Sequence, residues 1–188
     1  GGGEHGNQRG GVLGSYTGRG TLSILSGGVR FYTGGDFSRF EGMLHFQGAA
    51  NLRESVTDMK KLTLTLGDGS TLRHINGSFG SAAAALQVGA LADAPGTAYN
   101  TLPQFGGPTE SWEVGHNHQD ATYSGLLTAR LVTKVGTGAW TLRSTSSTSS
   151  STVSGGSLLF SNYSGTLTTG TLTVKDSGYV SGIGTTNS

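Results

Sequence analysis

The sequence predicts an all-β, turn-rich fold in which short strands stack into a β-solenoid. Glycine makes up 34 of 188 residues and punctuates short runs in which Leu or Val alternates with Thr or Ser, the pattern of half-buried strands. Only 12% of residues are charged, so hydroxyl, amide and glycine residues must form most of the surface. Strand signals recur near Leu142, Leu158 and Leu172, at an almost regular spacing. Each unit is too small to bury its own apolar face, and stacking of successive units would bury it.

The composition excludes several classes of protein. There is no cysteine, which rules out a disulfide scaffold, a thiolate zinc site and a cysteine nucleophile. The absence of cysteine is explained either by chance or by export from a bacterium. The net charge is +1 and Lys60 and Lys61 form the single adjacent basic pair, so we expect no nucleic-acid partner. No apolar run approaches the length of a membrane span, and residues 1–5 do not resemble a signal peptide. We expect one domain over residues 1–188, a mature form or a fragment if the protein is secreted.

The first quarter of the chain predicts short strands after an irregular start. Residues 1–20 are a glycine-rich lead-in with few apolar side chains. Residues 21–26 form the first clear strand, with alternate apolar and serine positions. Shorter strand signals follow at residues 29–32, 37–41 and 43–46, separated by glycine turns.

The second quarter contains the most polar stretch and the clearest strand. Residues 51–58 predict a loop, with one helical turn as an alternative, and they define an irregular region near 50–60. Residues 61–66 place three leucines on one strand face. A tight turn at 67–70 leads into residues 71–75, so we expect two strands joined by a corner.

The third quarter is the least regular. Residues 81–89 contain four consecutive alanines, which leaves one helical turn or a tightly packed strand open. All three prolines lie in the region 92–110, which predicts the longest irregular loop. The strand pattern resumes at 111–114 and, after the polar run 116–120, at 123–127.

The last third carries the most regular pattern. Residues 131–160 contain two strand signals, 139–143 and 157–160, each introduced by a glycine turn, and a Ser/Thr run lies between them. Residues 165–184 repeat the alternation of Leu or Val with Thr or Ser. We expect the leucines to fill the core and the hydroxyls to face water or the next coil.

This last third resembles a known repeat. The order of short motifs is similar to the passenger-associated transport repeat, also called the autotransporter-associated β-strand repeat. The matching residues are Leu131, Thr133, Lys134, Gly136, Gly138, Trp140, Thr141, Leu142, Thr152, Val153, Gly155, Gly156 and Leu158. The Asn-Thr-Tyr-x-Gly piece of the family is replaced by the Ser/Thr residues 144–150, and a similar piece lies upstream at 121–125. The match is best over 121–185.

The resemblance implies a fold and a location. A member of this family would be a right-handed parallel β-helix, exported by a bacterium and displayed at or released from the cell surface. The translocator barrel of an autotransporter is not part of this chain, and related repeats in other bacterial surface proteins leave the secretion route open. The family brings no catalytic residues.

The densest cluster of possible metal ligands is His116, His118 and Asp120. Two imidazoles at i and i+2 on a strand would share one face and could hold a metal together with the carboxylate. The alternative is a polar turn between two strands, which we favour because no third imidazole is nearby in sequence. We therefore expect no metal, cofactor or catalytic residue.

Other motifs allow weaker site hypotheses. The mixed cluster of Arg53, Glu54, Asp58, Lys60 and Lys61 could serve a polysaccharide lyase or glycoside hydrolase, and its alternative is a solvated loop.

Three further patterns favour structural interpretations over sites. Gly34, Gly35 and Asp36 form a truncated calcium-binding motif that is more typical of a turn. Threonine pairs such as Thr63 and Thr65 are too few and too irregular for an ice-binding array. The aromatic side chains Tyr123, Trp140 and Tyr163 could stack on sugars, although the alternation of Trp140 with Leu142 favours burial.

The sequence therefore predicts a structural or adhesive module of a bacterial surface or secreted protein, not an enzyme. We expect self-association, neighbouring solenoid domains or a carbohydrate or host surface as partners. The alternative is a carbohydrate-active or carbohydrate-binding β-helix domain. A groove with at least three converging carboxylates or basic residues would favour the enzyme, and a smooth Ser/Thr surface would exclude it. A row of solvent-facing aromatic side chains would favour the sugar-binding module.

Overall fold

The chain forms a stack of short parallel strands, as the sequence predicts. A computed structural model describes residues 14–25, 29–30, 35–53, 58–75, 85–161, 165–175 and 177–182. Across these residues the fold is all-β, without a helix, and the strands stack as a β-solenoid of about 7 turns. The described part of the chain thus contains no helix long and apolar enough to cross a membrane.

The strands are short, and glycines lie in many of the corners between them. In chain order they are β1 Gly14–Gly18, β2 Thr21–Leu25, β3 Val29–Arg30, β4 Gly35–Phe40, β5 Met43–Gln47, β6 Ala49–Arg53, β7 Met59–Leu66, β8 Thr71–Ile75, β9 Leu86–Asp93, β10 Gln104–Phe105, β11 Ser111–Val114, β12 Ala121–Tyr123, β13 Leu126–Lys134, β14 Ala139–Leu142, β15 Thr145–Val153, β16 Gly156–Phe160, β17 Thr166–Val174 and β18 Gly178–Ser181.

The strands line three faces of the solenoid, and every strand pairing in the described residues is parallel. The first face holds β1, β4, β11, the starts of β7 and β9, and the second halves of β13, β15 and β17. The second face holds β2, β5, the ends of β7 and β9, and then β12, β14, β16 and β18. The third face holds β3, β6, β8, β10 and the first halves of β13, β15 and β17. Each long strand therefore bends around a corner, at Arg130, Ser149 and Gly170, where the pairing register is interrupted.

The core is a set of in-register ladders that run along the solenoid. On the second face Leu22, Leu44, Leu64 and Leu91 pair in succession, and the last three are completely buried. Each inward leucine removes apolar surface from water against the rungs above and below, at about 2 kcal/mol per side chain. The alternation of apolar and hydroxyl residues in β2 and the leucine face of β7 are thus confirmed, although Thr65, on the other face of β7, is buried as well.

Large aromatic side chains fill the middle of the stack. Phe105 and Trp112 pack with ring centroids 4.1 Å apart, and Tyr123 meets Phe105 edge-on at 6.3 Å. Trp140, 1% exposed, donates its indole N–H to the carbonyl of Leu91 at 3.1 Å. Burial of Trp140 is therefore confirmed, and Tyr123 is buried as well, so neither can stack on a sugar. Burial also raises the pKa of the Tyr123 phenol.

The length of one turn differs from the predicted spacing. Trp140 pairs with Leu158 and Leu158 with Val180, so one turn is longer than the interval between successive strand signals. The prediction that the spacing of Leu142, Leu158 and Leu172 equals the length of one turn is therefore wrong. Leu142 pairs with Phe160, and Leu172 lies on another face beside Ser151.

The Ser/Thr run contains a strand that the sequence pattern does not predict. Residues of β15 alternate inward and outward, which buries Ser146, Thr148 and Ser151 inside the solenoid. The Thr148 and Ser151 hydroxyls lie 2.7 Å apart and hydrogen-bond to each other. The prediction that hydroxyls of this region face water or the next coil is wrong for these side chains, because a strand must turn alternate residues inward whatever their polarity.

The predicted irregular segments agree in part with the structure. The lead-in contains β1, and residues 1–13 lie outside the described residues. The loop near 50–60 is shorter than expected, because β6 extends to Arg53 and β7 starts at Met59; residues 54–57 lie outside the description, as do the alanines 82–84.

The region 92–110 is irregular apart from the end of β9 and the two residues of β10. Its path is fixed by specific hydrogen bonds. The Tyr99 hydroxyl donates to the Leu66 carbonyl at 3.0 Å, and Asp68 accepts from the Thr101 backbone N–H at 2.7 Å.

Candidate binding groove on the first edge

The corner between the first and second faces, here called the first edge, gathers charged and polar side chains from successive turns. Arg19 follows β1, Glu41 follows β4, and the turn 115–120 follows β11. These segments stack through backbone bonds, for example from Glu41 N–H to the Gly18 carbonyl at 2.9 Å and from Asn117 N–H to the Gly89 carbonyl at 3.3 Å. The fold thereby brings together residues that are far apart in sequence.

A depression of about 620 Å³ lies on this edge and is here called the groove. It is lined by Arg19, Glu41, Lys60, Lys61, His116, Asn117, His118 and Gln119. Three cationic side chains and one carboxylate give the groove a formal charge of +2, whereas the whole chain carries +1. The groove therefore carries a local positive charge that the net charge of the whole chain does not reveal.

A bulge in β7 places both groove lysines outward. Met59 pairs with Val88 and Thr63 with Ala90, so the three residues between Met59 and Thr63 lie opposite Gly89 alone. Within β7 the burial order is buried, exposed, exposed, buried, which turns the consecutive Lys60 and Lys61 to solvent. A regular strand would point one of them inward.

Glycine is required opposite the bulge. A Cβ atom on Gly89 would overlap the Leu62 carbonyl oxygen and would lie 2.7 Å from that of Lys60. Any larger residue would push the bulged segment away, so the exposed lysine pair depends on a glycine in β9, the strand on the next turn.

The candidate metal ligands His116, His118 and Asp120 lie in the turn between β11 and β12, and each has its own partner. His116 Nε2 is 2.8 Å from Glu113 Oε1. His118, with φ of 61°, accepts a hydrogen bond at Nδ1 from the Thr137 backbone N–H at 3.2 Å. Asp120 accepts from the Ala139 backbone N–H at 2.7 Å. In the described residues, no group of three His, Asp or Glu side chains is close enough to hold a metal ion.

A second depression continues the first edge. It has a volume of about 350 Å³ and is lined by Gly136, Thr137, Ser154, Gly155, Gly156 and Ser177. Because Thr137 is hydrogen-bonded to His118 of the groove, the two depressions adjoin. The edge is cationic in its first half and is formed by hydroxyl and glycine residues in its second half.

A buried lysine supports the floor of the second depression. Lys134 is 1% exposed and its Nζ donates to the carbonyls of Val135, Gly136 and Gly155, at 2.5, 3.3 and 3.2 Å. Burial lowers the pKa of the ammonium, and the negative charge of Asp120 partly opposes this. In the sequence Lys134 is identified only as part of the repeat motif, although its alternation with the inward Val132 points to the interior.

Most described carboxylates serve the fold. Seven of eight accept a hydrogen bond or form an ion pair with another residue: Asp36, Glu41, Asp68, Asp93, Glu110, Glu113 and Asp120. Several of them join one turn to the next. Asp93, for instance, accepts from both the backbone and the hydroxyl of Ser124, at 2.7 and 2.6 Å. Apart from Glu41, whose ion pair with Arg19 is exposed, these carboxylates are committed to structure, in contrast to the groove lysines.

The other proposed motifs are placed as follows. Gly35 and Asp36 open β4, so the truncated calcium motif is not a turn at these two positions. A hydrogen bond from the Ser38 backbone N–H lowers the pKa of Asp36. Thr65 is completely buried, which excludes an exposed array that uses the pair Thr63 and Thr65. Glu54 and Tyr163 lie outside the described residues, as does the side chain of Arg53.

Comparison of the chain with protein-family models, with curated proteins and with solved structures finds no match. The resemblance to the passenger-associated transport repeat therefore stays a prediction. The parallel β-solenoid rests on the strand pairings and burial described above.

Proposed function

We propose that this chain is a structural or adhesive module of a bacterial surface or secreted protein that associates with further solenoid turns at its ends. The supporting observation is that the terminal strands pair on one side alone within the described residues. These are β1, β2 and β3 at one end and β17 and β18 at the other. The free N–H and C=O groups of such edges accept another strand.

The last turn also exposes a residue that belongs to a core row. Val174 follows Val114, Lys134 and Val153 in register, and those three side chains are at most 1% exposed. Val174 is 48% exposed, because no described strand covers it. A further turn, from a second copy or a neighbouring solenoid segment, would bury Val174 and pair the edge of β17.

Sedimentation velocity and electron microscopy of the chain over a range of concentrations test this association. We expect oligomers or filaments for the unmodified chain. Val174→Lys places a charge on the inward row of the open edge and should prevent association. Thr173→Lys, on the outward side of the same strand, is the matched control and should associate normally. A chain that stays monomeric at all concentrations, or equal association of both variants, would contradict the proposal.

Location at the bacterial surface is supported by the absence of cysteine and by the resemblance over 121–185. Fusion of the chain to a translocator barrel in a Gram-negative host tests this part. We expect the fused chain to become accessible to external protease, and retention in the periplasm would contradict the proposal.

Carbohydrate binding is a second candidate function, and the groove favours it. Three basic side chains line one depression, whereas the carboxylates that a hydrolase would need are committed to structural bonds. We therefore expect acidic polysaccharides to bind without hydrolysis. A lyase, which uses a Lys or Arg base, is the enzyme that the basic groove leaves open. Incubation with polygalacturonate tests for cleavage through the ultraviolet absorbance of unsaturated products and through reducing ends, and the appearance of either would support the enzyme instead.

A further inference from the structure

We infer that the groove binds an acidic polysaccharide chain that lies along the solenoid axis, with Lys60 and Lys61 as its main charge contacts. The inference rests on carbohydrate binding, the second candidate function, and names the ligand class and the residues. Both lysines line the groove and are exposed. In the described residues neither forms a hydrogen bond or ion pair, so both ammonium groups are available to a ligand.

Arg19 and Glu41 support the same site in a different way. Arg19 Nη2 lies 2.8 Å from Glu41 Oε2, and the Arg19 side chain is 83% exposed. A surface ion pair of this kind contributes little stability, so a ligand carboxylate can replace Glu41 at modest cost. The guanidinium then adds a planar donor pair suited to a carboxylate.

The polar neighbours of the lysines suit a sugar. Gln119 contributes an amide group that donates to and accepts from hydroxyls. The Asn117 side chain orients this turn, because its amide donates to Thr63 Oγ1 at 3.5 Å and accepts from the Gln119 backbone N–H at 3.3 Å. Among the described residues no Phe, Tyr or Trp side chain lines the groove, whereas single-stranded nucleic acids are usually held by bases stacked on such rings. The combination of ammonium, guanidinium and amide groups therefore fits a uronic-acid chain better than a nucleic acid.

The shape of the first edge fits a linear ligand. Successive turns are about 4.8 Å apart, so the four steps from the turn of Arg19 to that of His116 span about 19 Å. The second depression adjoins the groove at Thr137 and offers the hydroxyl groups of Thr137, Ser154 and Ser177. A polysaccharide can place its charged units on the lysines and continue along this hydroxyl-lined half.

Isothermal titration of the whole chain with polygalacturonate, at low and high salt, tests the inference. The test variant carries Lys60→Ser and Lys61→Ser, both at exposed positions. The matched control carries Arg130→Ser and Arg143→Ser, which remove the same charge from exposed positions on the other two edges. We expect the lysine variant to lose about tenfold in affinity at low salt and much of the salt dependence, and the control to lose less than about threefold.

The possible results distinguish the assignment of binding to the groove from carbohydrate binding itself. Equal loss in both double variants would overturn the assignment to the groove but leave carbohydrate binding in place. No binding of polygalacturonate by the unmodified chain would overturn both the inference and carbohydrate binding, and it would leave self-association untouched. Tighter binding of neutral dextran or of a single-stranded oligonucleotide would overturn the ligand class. Circular dichroism of each variant confirms that the fold is retained.

Discussion

Glu110 provides the sharpest test of how this solenoid is held together. The side chain is 3% exposed and lies just before β11. One carboxylate oxygen accepts from Arg73 Nε at 2.6 Å, and the other accepts from the His74 backbone N–H at 2.9 Å. The Glu110 carbonyl accepts from the Arg130 N–H at 2.7 Å. Glu110 thus joins the turn that contains β8 to the turn that contains β13, past the short β10.

Replacement of Glu110 by alanine should destabilise the fold strongly. The buried N–H of His74 would lose its acceptor, at a cost of about 1–3 kcal/mol. Loss of the ion pair adds up to about 1 kcal/mol, since the Arg73 side chain is 44% exposed and solvent screens the pair. We expect a total of about 1–4 kcal/mol for Glu110→Ala. Glu110→Gln keeps one acceptor oxygen and should cost about 1 kcal/mol.

Urea unfolding and amide hydrogen exchange measure this effect. Glu41→Ala is the matched control, because Glu41 forms an exposed ion pair and its removal should cost at most about 1 kcal/mol. The His74 amide should lose protection in Glu110→Ala and keep most of it in Glu110→Gln. A loss of stability no larger than that of the control, or unchanged exchange at His74, would refute the reasoning.

Two further predictions concern a glycine and a histidine. Gly89→Ala should destabilise the chain by about 1–3 kcal/mol in urea unfolding, because its Cβ would overlap the Leu62 carbonyl oxygen. Gly20→Ala is the control and should cost much less, because the space around its Cβ position is open. Equal effects of the two substitutions would contradict the bulge geometry. His45, hydrogen-bonded to Thr65 at 3.0 Å, has its pKa lowered from 6.5 by burial, so protonation is disfavoured in the folded state. The free energy of unfolding should therefore fall as pH drops below about 6.5 towards the folded-state pKa, and His45→Gln should reduce this fall; an unchanged pH dependence in the variant would contradict the assignment.

The positions of most strands can be predicted from sequence, because the signals are local. A glycine turn followed by a short, largely apolar run identifies β14 and β16 without knowledge of their neighbours, and the alternation of Leu and Thr identifies β7. The pairing register cannot be predicted in the same way. In β15 the inward positions Ser146, Thr148 and Ser151 carry hydroxyls, so polarity does not mark the buried face. The bend at Ser149 also places one continuous Ser/Thr run on two faces.

The components of the groove are visible in the sequence, but their proximity is not. Lys60 and Lys61 form the adjacent basic pair, and the dense polar cluster from His116 to Asp120 lies far along the chain, beyond β9 and β11. Two non-local features bring them together. Parallel stacking places the two segments on one edge, and Gly89 permits the bulge that turns both lysines outward. Neither feature has a signature in the sequence around Lys60.

The location of the groove follows from how a parallel solenoid constrains its residues. On a face, each outward side chain lies about 4.8 Å from its in-register neighbours, so like charges repel and Ser or Thr is favoured. The rows of Thr128, Ser147 and Thr168 on the third face show this pattern. The constraint does not apply at corners, because corners differ in length from one turn to the next. The corner between β1 and β2 consists of residues 19–20, and the corner between β11 and β12 consists of residues 115–120. A corner can thus hold several cations at different offsets, as the first edge does with Arg19, Lys60 and Lys61.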